Sequence, residues 1–128
     1  MDHADAVVFA HEWVKAWNAH DLEGVLSHFA EDVVFTSPVA AHLLDGSDGV
    51  VHGKSALRTY WTEGLRRIPD LHFEVVAVYV GVNTLVINYS NQLGELVNEV
   101  LIFGGPLVTQ GHGTYLGTVA NTARVTSH

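Results

Sequence analysis

The clearest candidate for chemistry in this sequence is Glu99, a carboxyl inside an apolar stretch that runs from Leu96 to Phe103. Side chains alternate along a strand, so Glu99 shares one face with Val97, Leu101 and Phe103. A carboxyl buried among such neighbours has a raised pKa and is a candidate general acid or base. The opposite face is also apolar, with Leu96, Val100 and Ile102. Periodicity therefore leaves open whether Glu99 lies in a cavity or on the outer face.

Neutral hydrogen-bonding groups occur on the preceding apolar segment. Asn88 and Ser90 alternate with Ile87 and Tyr89 and lie on the face opposite to them. An amide and a hydroxyl at these positions are suited to binding a polar atom of a ligand. Solvent-facing polar side chains explain the same pattern, so a ligand-binding role for Asn88 is one of two interpretations.

Large aromatic residues form a second group of candidates. Trp13 and Trp17 lie one helical turn apart on the apolar stripe of the first predicted helix. Tyr60 and Trp61 are adjacent in a later helix, about 100° apart around its axis, which lets only one of them point squarely inward. Core packing and the lining of a ligand cavity both account for these four residues.

Metal and cofactor sites are not indicated. The nine histidines show no H-x-x-x-H or H-E-x-x-H spacing, and the chain has no cysteine. There is also no P-loop, no dinucleotide fingerprint and no G-x-S-x-G elbow. We therefore expect a protein that works without a metal or an organic cofactor.

Charge and length limit the partners and the architecture. The formal net charge of −8 disfavours nucleic acid and anionic membranes. Acids stand near the N-terminus where a signal peptide needs bases, and no apolar run approaches about 20 residues, so a cytoplasmic protein is expected. The 128 residues suit a single domain over 1–128.

The elements that must position the candidates fall into two halves. Helical periodicity predicts three helices, over 5–18, after an Asp21 cap, and over 54–68. A short strand is predicted over 33–36, and the Gly-, Asp- and Ser-rich stretch 40–53 is predicted as a loop. Strand-like segments with turns between them extend from Leu71 to about Ala120. This order predicts an α+β fold with three N-terminal helices on one face of a bent antiparallel sheet.

Three motifs then give the chain a family resemblance: Trp17-Asn-Ala-His-Asp-Leu-Glu-Gly-Val-Leu, Phe29-Ala-Glu-Asp-Val-Val-Phe and Gly53-Lys-Ser-Ala-Leu-Arg-Thr-Tyr-Trp. Their order before a long hairpin sheet resembles the SnoaL-like branch of the nuclear transport factor 2 superfamily, from Ala4 to about Leu116. The resemblance implies a cone-shaped domain whose strongly curved sheet surrounds an apolar cavity capped by helices. It also implies a homodimer through the outer face of the sheet.

The resemblance also places functional positions of the ketosteroid isomerases on this chain. Their general-base aspartate precedes a proline and matches Ser37, which cannot shuttle a proton from carbon. Their oxyanion-binding tyrosine matches Trp13, and their protonated acid matches Glu99. The final strand contains Gly111-His-Gly-Thr-Tyr, whose counterpart in SnoaL-like proteins often faces inward, which makes His112 or Tyr115 a further candidate.

Other activities of the superfamily fit less well. Polyketide cyclases of this family use an aspartate on a sheet strand, and no aspartate follows Asp70 here. Epoxide hydrolases carry an Arg-x-Asp pair where this chain has the uncharged run 88–91.

Two functional hypotheses remain, and both have a small hydrophobic molecule as partner. The first is a cofactor-free enzyme of isomerase, cyclase or dehydratase type that acts by proton transfer on a small hydrophobic ring compound. Glu99 is its acid–base residue, and the substrate is bound by Trp13, Trp17, Ser37, Tyr60, Trp61, Asn88 and His112. The second is a non-catalytic binding or dimerisation module of the same fold.

Overall fold

The first helix starts where an acidic side chain caps it. The computed structural model describes residues 1–117. Helix α1 (His3–Asn18) begins after Asp2, whose Oδ1 accepts a hydrogen bond of 2.8 Å from the Asp5 amide. One stripe of the helix is buried, as the four-residue spacing predicts, and consists of Ala6, Phe9, Ala10, Trp13 and Trp17.

The connection to the second helix also follows local signals. His20 adopts a left-handed backbone with φ of 55°, which ends α1. Asp21 then caps α2 (Leu22–Leu26) by accepting a hydrogen bond of 3.0 Å from the Gly24 amide. The predicted Asp21 cap is therefore confirmed.

The stretch predicted as a loop over 40–53 is irregular over 44–49 but has regular structure on both sides, so that prediction was wrong at both ends. Helix α3 (Pro38–Leu43) is capped by Ser37, whose Oγ accepts a hydrogen bond of 3.2 Å from the Val39 amide, and Pro38 lies in the first turn. A short strand, β2 (Val50–His52), follows it. Residues 1–117 thus contain four helices rather than three, because Pro38 both ends a strand and begins a helix.

The remaining helix matches its prediction closely. Helix α4 (Lys54–Arg67) follows Gly53 and buries Leu57, Tyr60 and Trp61. Among residues 1–117, no helix is long and apolar enough to cross a membrane.

In the described part of the chain the sheet contains six strands, in the order β2-β1-β6-β5-β4-β3. Besides β2, they are β1 (Phe29–Thr36), β3 (Glu74–Gly81), β4 (Thr84–Ser90), β5 (Leu96–Gly104) and β6 (Leu107–Tyr115). The predicted meander of the last four strands is confirmed, although β3 begins at Glu74 rather than Leu71. The last strand ends at Tyr115, and residues 118–120 of the predicted strand lie outside the described part of the chain.

The sheet is mixed, whereas the sequence predicts an antiparallel sheet throughout. β1 runs parallel to β6, while the other four pairings are antiparallel. Register shifts interrupt β1–β6, β3–β4 and β5–β6, and such bulges bend strands and increase their twist. The result is a curved, unclosed sheet with helices over its inner face.

Candidate functional site

A pocket of about 270 Å³ lies between the helices and the inner face of the sheet. Its lining includes residues from helices α1 and α4, from strands β1, β4, β5 and β6, and from the segment before β3. Eight aromatic residues line it: Trp13, Trp17, Phe35, Tyr60, Trp61, Phe73, Tyr89 and Tyr115. This space is called the aromatic pocket below.

Glu99 lines the aromatic pocket and is only 5% exposed. Its strand neighbours Val97 and Leu101 are buried on the same face, whereas Leu96 on the opposite face is 37% exposed. The outer-face alternative is therefore excluded by burial. Burial raises the pKa of Glu99 to about 7.

Hydroxyl groups surround one side of this carboxyl. Ser37 lies at the end of β1, and its hydroxyl is within hydrogen-bonding reach of the phenols of Tyr60 and Tyr115. The same hydroxyl caps α3, so the start of that helix fixes its position. A Cβ on Gly113 would stand 3.5 Å from Ser37 Oγ and 3.6 Å from Glu99 Oε1. The absence of a side chain at Gly113 leaves space beside both groups.

The tyrosines near Glu99 are neutral donors at ordinary pH. Burial raises the pKa of Tyr60 to about 12, and the nearby Ser37 hydroxyl only partly opposes this shift. Burial also raises the pKa of Tyr89 and of Tyr115, and the Glu99 charge raises both further. A carboxyl and neutral hydroxyls therefore form the polar part of the pocket.

The tryptophans contribute mainly carbon surface. The ring of Trp13 stacks on Phe73 at 5.7 Å, and Trp17 meets Trp61 edge to face at 5.0 Å. The indole nitrogens of Trp13 and Trp17 are themselves buried and have no hydrogen-bond partner among the described residues. No described residue therefore accepts a hydrogen bond from the Trp13 N–H or orients it for the donor role that the resemblance implies.

Two hydrogen bonds between the Asn18 side chain and the Phe73 backbone hold one wall of the pocket. The Asn18 side chain donates to the Phe73 carbonyl at 2.9 Å and accepts from the Phe73 amide at 2.8 Å. His20 Nε2 lies 3.0 Å from the Leu71 carbonyl oxygen. These contacts place Leu71 and Phe73 against the pocket.

The turn between β4 and β5 contributes another part of the lining. Asn91, Gln92, Leu93 and Glu95 lie along the pocket there. The Asn91 side chain organises this turn, since its Oδ1 accepts from the amides of Leu93 and Glu95, each at 3.0 Å. The Gln92 side-chain oxygen is buried without a partner in the described structure.

Six of the eight candidate residues named from the sequence line the same pocket: Trp13, Trp17, Ser37, Tyr60, Trp61 and Glu99. Tyr60 and Trp61 are both buried, at 5% and 6% exposure, although helical geometry favoured only one. The sequence-based candidates did not include Phe73 and Tyr89, while Tyr115 was a secondary candidate. The signal for Tyr89 was present, because it alternates with Asn88.

Asn88 and His112 are the two candidates that the structure corrects. Asn88 points to the outer face, where its amide donates to Asn98 Oδ1 at 2.8 Å. His112 also lies outside, with its Nδ1 2.7 Å from Thr36 Oγ1. Both residues alternate with buried neighbours, so strand geometry turns them away from the pocket. The polar side chains of Asn88 and His112 suggested that they face the cavity, but aromatic residues line that face.

The lining includes no lysine, arginine or histidine among the described residues. Glu95 and Glu99 are its only described residues with a carboxyl group. Within residues 1–117 no group of three histidine, aspartate or glutamate side chains is placed to hold a metal ion. The arrangement is suited to proton transfer and to apolar binding.

Comparison with known proteins gives one consistent result. A model of the SnoaL-like domain matches residues 10–125. A SnoaL-like protein of unknown function from Burkholderia thailandensis is 40% identical in sequence, with a TM-score of 0.85, and the match covers 91% of this chain and 98% of that one. No curated protein matches the sequence.

More distant structures share the fold alone. A proposed hydroxylase from Streptomyces galilaeus is 21% identical with a TM-score of 0.69, over 89% of this chain and 80% of that one. A proposed ketosteroid isomerase from Kribbella flavida is 16% identical with a TM-score of 0.65, over 88% and 78%. Their differing descriptions indicate that this architecture carries several chemistries.

Proposed function

Because the chain belongs to the SnoaL-like domain family, we propose that it is a cofactor-free enzyme that acts by proton transfer on a small hydrophobic ring compound. Glu99 is the general acid–base residue of this proposal. The observation that carries it is the burial of the Glu99 carboxyl in the aromatic pocket, without a basic side chain among the described lining residues.

The electrostatics of the pocket support this role. With a pKa of about 7, Glu99 is present in both protonation states near neutral pH and can accept a proton and return it. The neutral hydroxyls of Ser37, Tyr60 and Tyr115 supply donors beside it. Such donors stabilise an oxygen that gains negative charge when a neighbouring carbon loses its proton.

The route differs from that of the ketosteroid isomerases to which the sequence is similar. The residue before the proline is Ser37, which has no basic side chain, so Glu99 must serve as both base and acid. A substrate would lie against the rings of the pocket with its reacting carbon next to Glu99. The space above Gly113 is the position that the geometry offers for it.

The proposal is tested with a ring ketone in deuterated buffer, because exchange of an acidic C–H reports proton transfer whatever the natural substrate is. 1-Tetralone is incubated with the protein, and loss of the α-proton signal is followed by nuclear magnetic resonance. We expect exchange at least about a hundredfold above buffer at equal pH, within the range that general acid–base catalysis supplies. Glu99→Gln should lower exchange to the buffer rate while binding of 1-tetralone changes less than about threefold.

The matched control is Glu74→Gln, which changes an exposed carboxyl on β3 and should keep full exchange activity. Exchange at the buffer rate with 1-tetralone demonstrably bound would contradict the enzymatic proposal. The same would follow if Glu99→Gln retained exchange.

A second function, ligand binding without turnover, is favoured by a specific observation. Two of the three positions that match catalytic residues of the isomerases are Trp13 and Ser37, and neither has a side chain that transfers protons near neutral pH. Under this alternative the pocket binds 1-tetralone, and both the wild-type protein and Glu99→Gln leave its α-protons unexchanged.

We also propose that two copies of the chain pair through the outer face of the sheet. Tyr79, Val86, Val100, His112 and Thr36 form one register row across that face. Tyr79 is 61% exposed, and the two valines are half-buried. The tyrosine and the two valines form an apolar part of this row, which is normally covered, and a second copy is the simplest cover.

A further inference from the structure

The aromatic pocket combines two features that together specify the charge of its ligand. Its ionisable lining groups are two carboxyls and three phenols, and its described residues include no basic side chain. A ligand carboxylate or phosphate would enter without any counter-charge and would be repelled. The overall charge of −8 acts in the same direction.

We propose that the ligand of the aromatic pocket is a ring compound that carries a protonated amine, with its ammonium group beside the Glu99 carboxylate. This inference rests on the ligand-binding role proposed above for the same pocket. It adds the charge and the functional group of the compound, which the proposal of proton transfer leaves open.

The surroundings of Glu99 provide what an ammonium ion requires. Glu99 is 5% exposed, and none of the ion pairs among the described residues includes it. An ionised carboxylate in that position lacks a counter-ion, and a ligand cation supplies one. The second carboxyl, Glu95, lies further along the same lining near the β4–β5 turn.

The aromatic residues provide the second contribution. The faces of tryptophan and tyrosine rings attract cations, and the attraction increases when water is excluded. The pocket lining includes three tryptophans and three tyrosines: Trp13, Trp17, Trp61, Tyr60, Tyr89 and Tyr115.

Three ligands of equal ring size separate charge from hydrophobicity: 1-naphthylmethylamine, naphthalene-1-methanol and 1-naphthoate. Binding to the full chain is measured by titration calorimetry at pH 8, where Glu99 is largely ionised and the amine is protonated. We expect the amine to bind at least about tenfold more tightly than the alcohol, and the carboxylate to bind most weakly.

Variants assign the preference to one side chain. Glu99→Gln should weaken binding of the amine by at least about tenfold and leave the alcohol within about threefold. Glu74→Gln, the exposed control, should leave all three affinities unchanged. Binding of the alcohol by Glu99→Gln also verifies that the variant keeps its pocket.

Several results would overturn this inference: equal affinity for the amine and the alcohol, preference for the carboxylate, no binding of any of the three, or an amine preference that survives Glu99→Gln. These outcomes are separable from the catalytic proposal. If the amine is preferred but 1-tetralone is not exchanged, the catalytic proposal is contradicted and the amine-ligand proposal stands. If 1-tetralone is exchanged but the amine is not preferred, the amine-ligand proposal is contradicted and the catalytic proposal stands.

Discussion

Ser37 and Glu99 border the same small space above Gly113, although 62 positions separate them in the sequence. A Cβ at Gly113 would lie 3.5 Å from Ser37 Oγ and 3.6 Å from Glu99 Oε1. The end of β1, which pairs with β6, brings Ser37 to this point, and β5 brings Glu99 from the other side of β6. This relationship defines where a reacting atom would be held.

Gly113→Ala should therefore weaken ligand binding without damaging the fold. The added methyl group would make ordinary van der Waals contact with both side chains and occupy the space between them. We expect affinity for naphthalene-1-methanol to fall by roughly tenfold or more, because one extra methyl group in a binding pocket changes affinity by about that factor. The free energy of unfolding should change by less than about 1 kcal/mol.

Two glycines provide comparisons for that variant. Gly81→Ala lies at the β3–β4 turn with similar spacing to its neighbour Thr84 and should leave affinity unchanged. Gly111→Ala would place its methyl 2.8 Å from the Phe35 ring, so it should cost about 1–3 kcal/mol of stability by overpacking. Unchanged affinity in Gly113→Ala would show that ligands do not use this space.

The stability of the protein should depend on pH through Glu99. Its pKa is about 7 in the folded chain and near the ordinary value of 4.5 when unfolded. Between these values the folded state keeps a proton that the unfolded state has released, so the free energy of unfolding falls as pH rises. Above pH 7 the total decrease in the free energy of unfolding is on the order of 3 kcal/mol.

Glu99→Gln removes this charge, so its stability relative to wild type should depend on pH. We expect the variant to be more stable than wild type at pH 8 by about 1–3 kcal/mol, and the difference to disappear below pH 4.5. Urea unfolding at a series of pH values measures it, with Glu74→Gln as the exposed control. A difference between the two proteins that stays constant with pH would argue against a buried, ionisable Glu99.

Asn18→Ala should loosen the wall of the pocket. It removes both hydrogen bonds to the Phe73 backbone, which are partly buried, and leaves that amide and carbonyl without their partner. We expect a loss of about 1–3 kcal/mol in the free energy of unfolding and weaker binding of naphthalene-1-methanol.

Asn98→Ala serves as the control for Asn18, because it removes an exposed side-chain hydrogen bond to Asn88 on the outer face. Its effect on stability should stay within about 0.5 kcal/mol, and ligand affinity should not change. Equal losses in the two variants would mean that the Asn18–Phe73 contact has no special structural role.

Pairing through the outer face predicts a concentration-dependent dimer. Tyr79→Lys introduces a charge into the register row and should convert the protein to monomers in sedimentation experiments at micromolar concentration. Val82→Lys, at a position 91% exposed in the β3–β4 turn, should leave the dimer intact. A wild-type monomer at that concentration would contradict the pairing.

Much of the fold was readable because its signals are local. The stripe of Phe9, Trp13 and Trp17, the Asp21 cap and the long helix after Gly53 each depend on neighbours within about four residues. The segment that contains α3 was mistaken for a loop, since six helical residues give too short a periodicity to recognise. The cap at Ser37 and the following proline were its only signals.

The sequence by itself determined an α+β chain with an unusual carboxyl in an apolar strand and no metal or cofactor motif. Only the tertiary structure decided that Glu99 faces inward and that Asn88 and His112 face outward. Both faces of β5 are apolar, so its orientation depends on which side the helices cover. That choice is made by contacts between residues far apart in sequence, such as Ser37 with Tyr115 and Asn18 with Phe73. Local periodicity carries no information about such contacts.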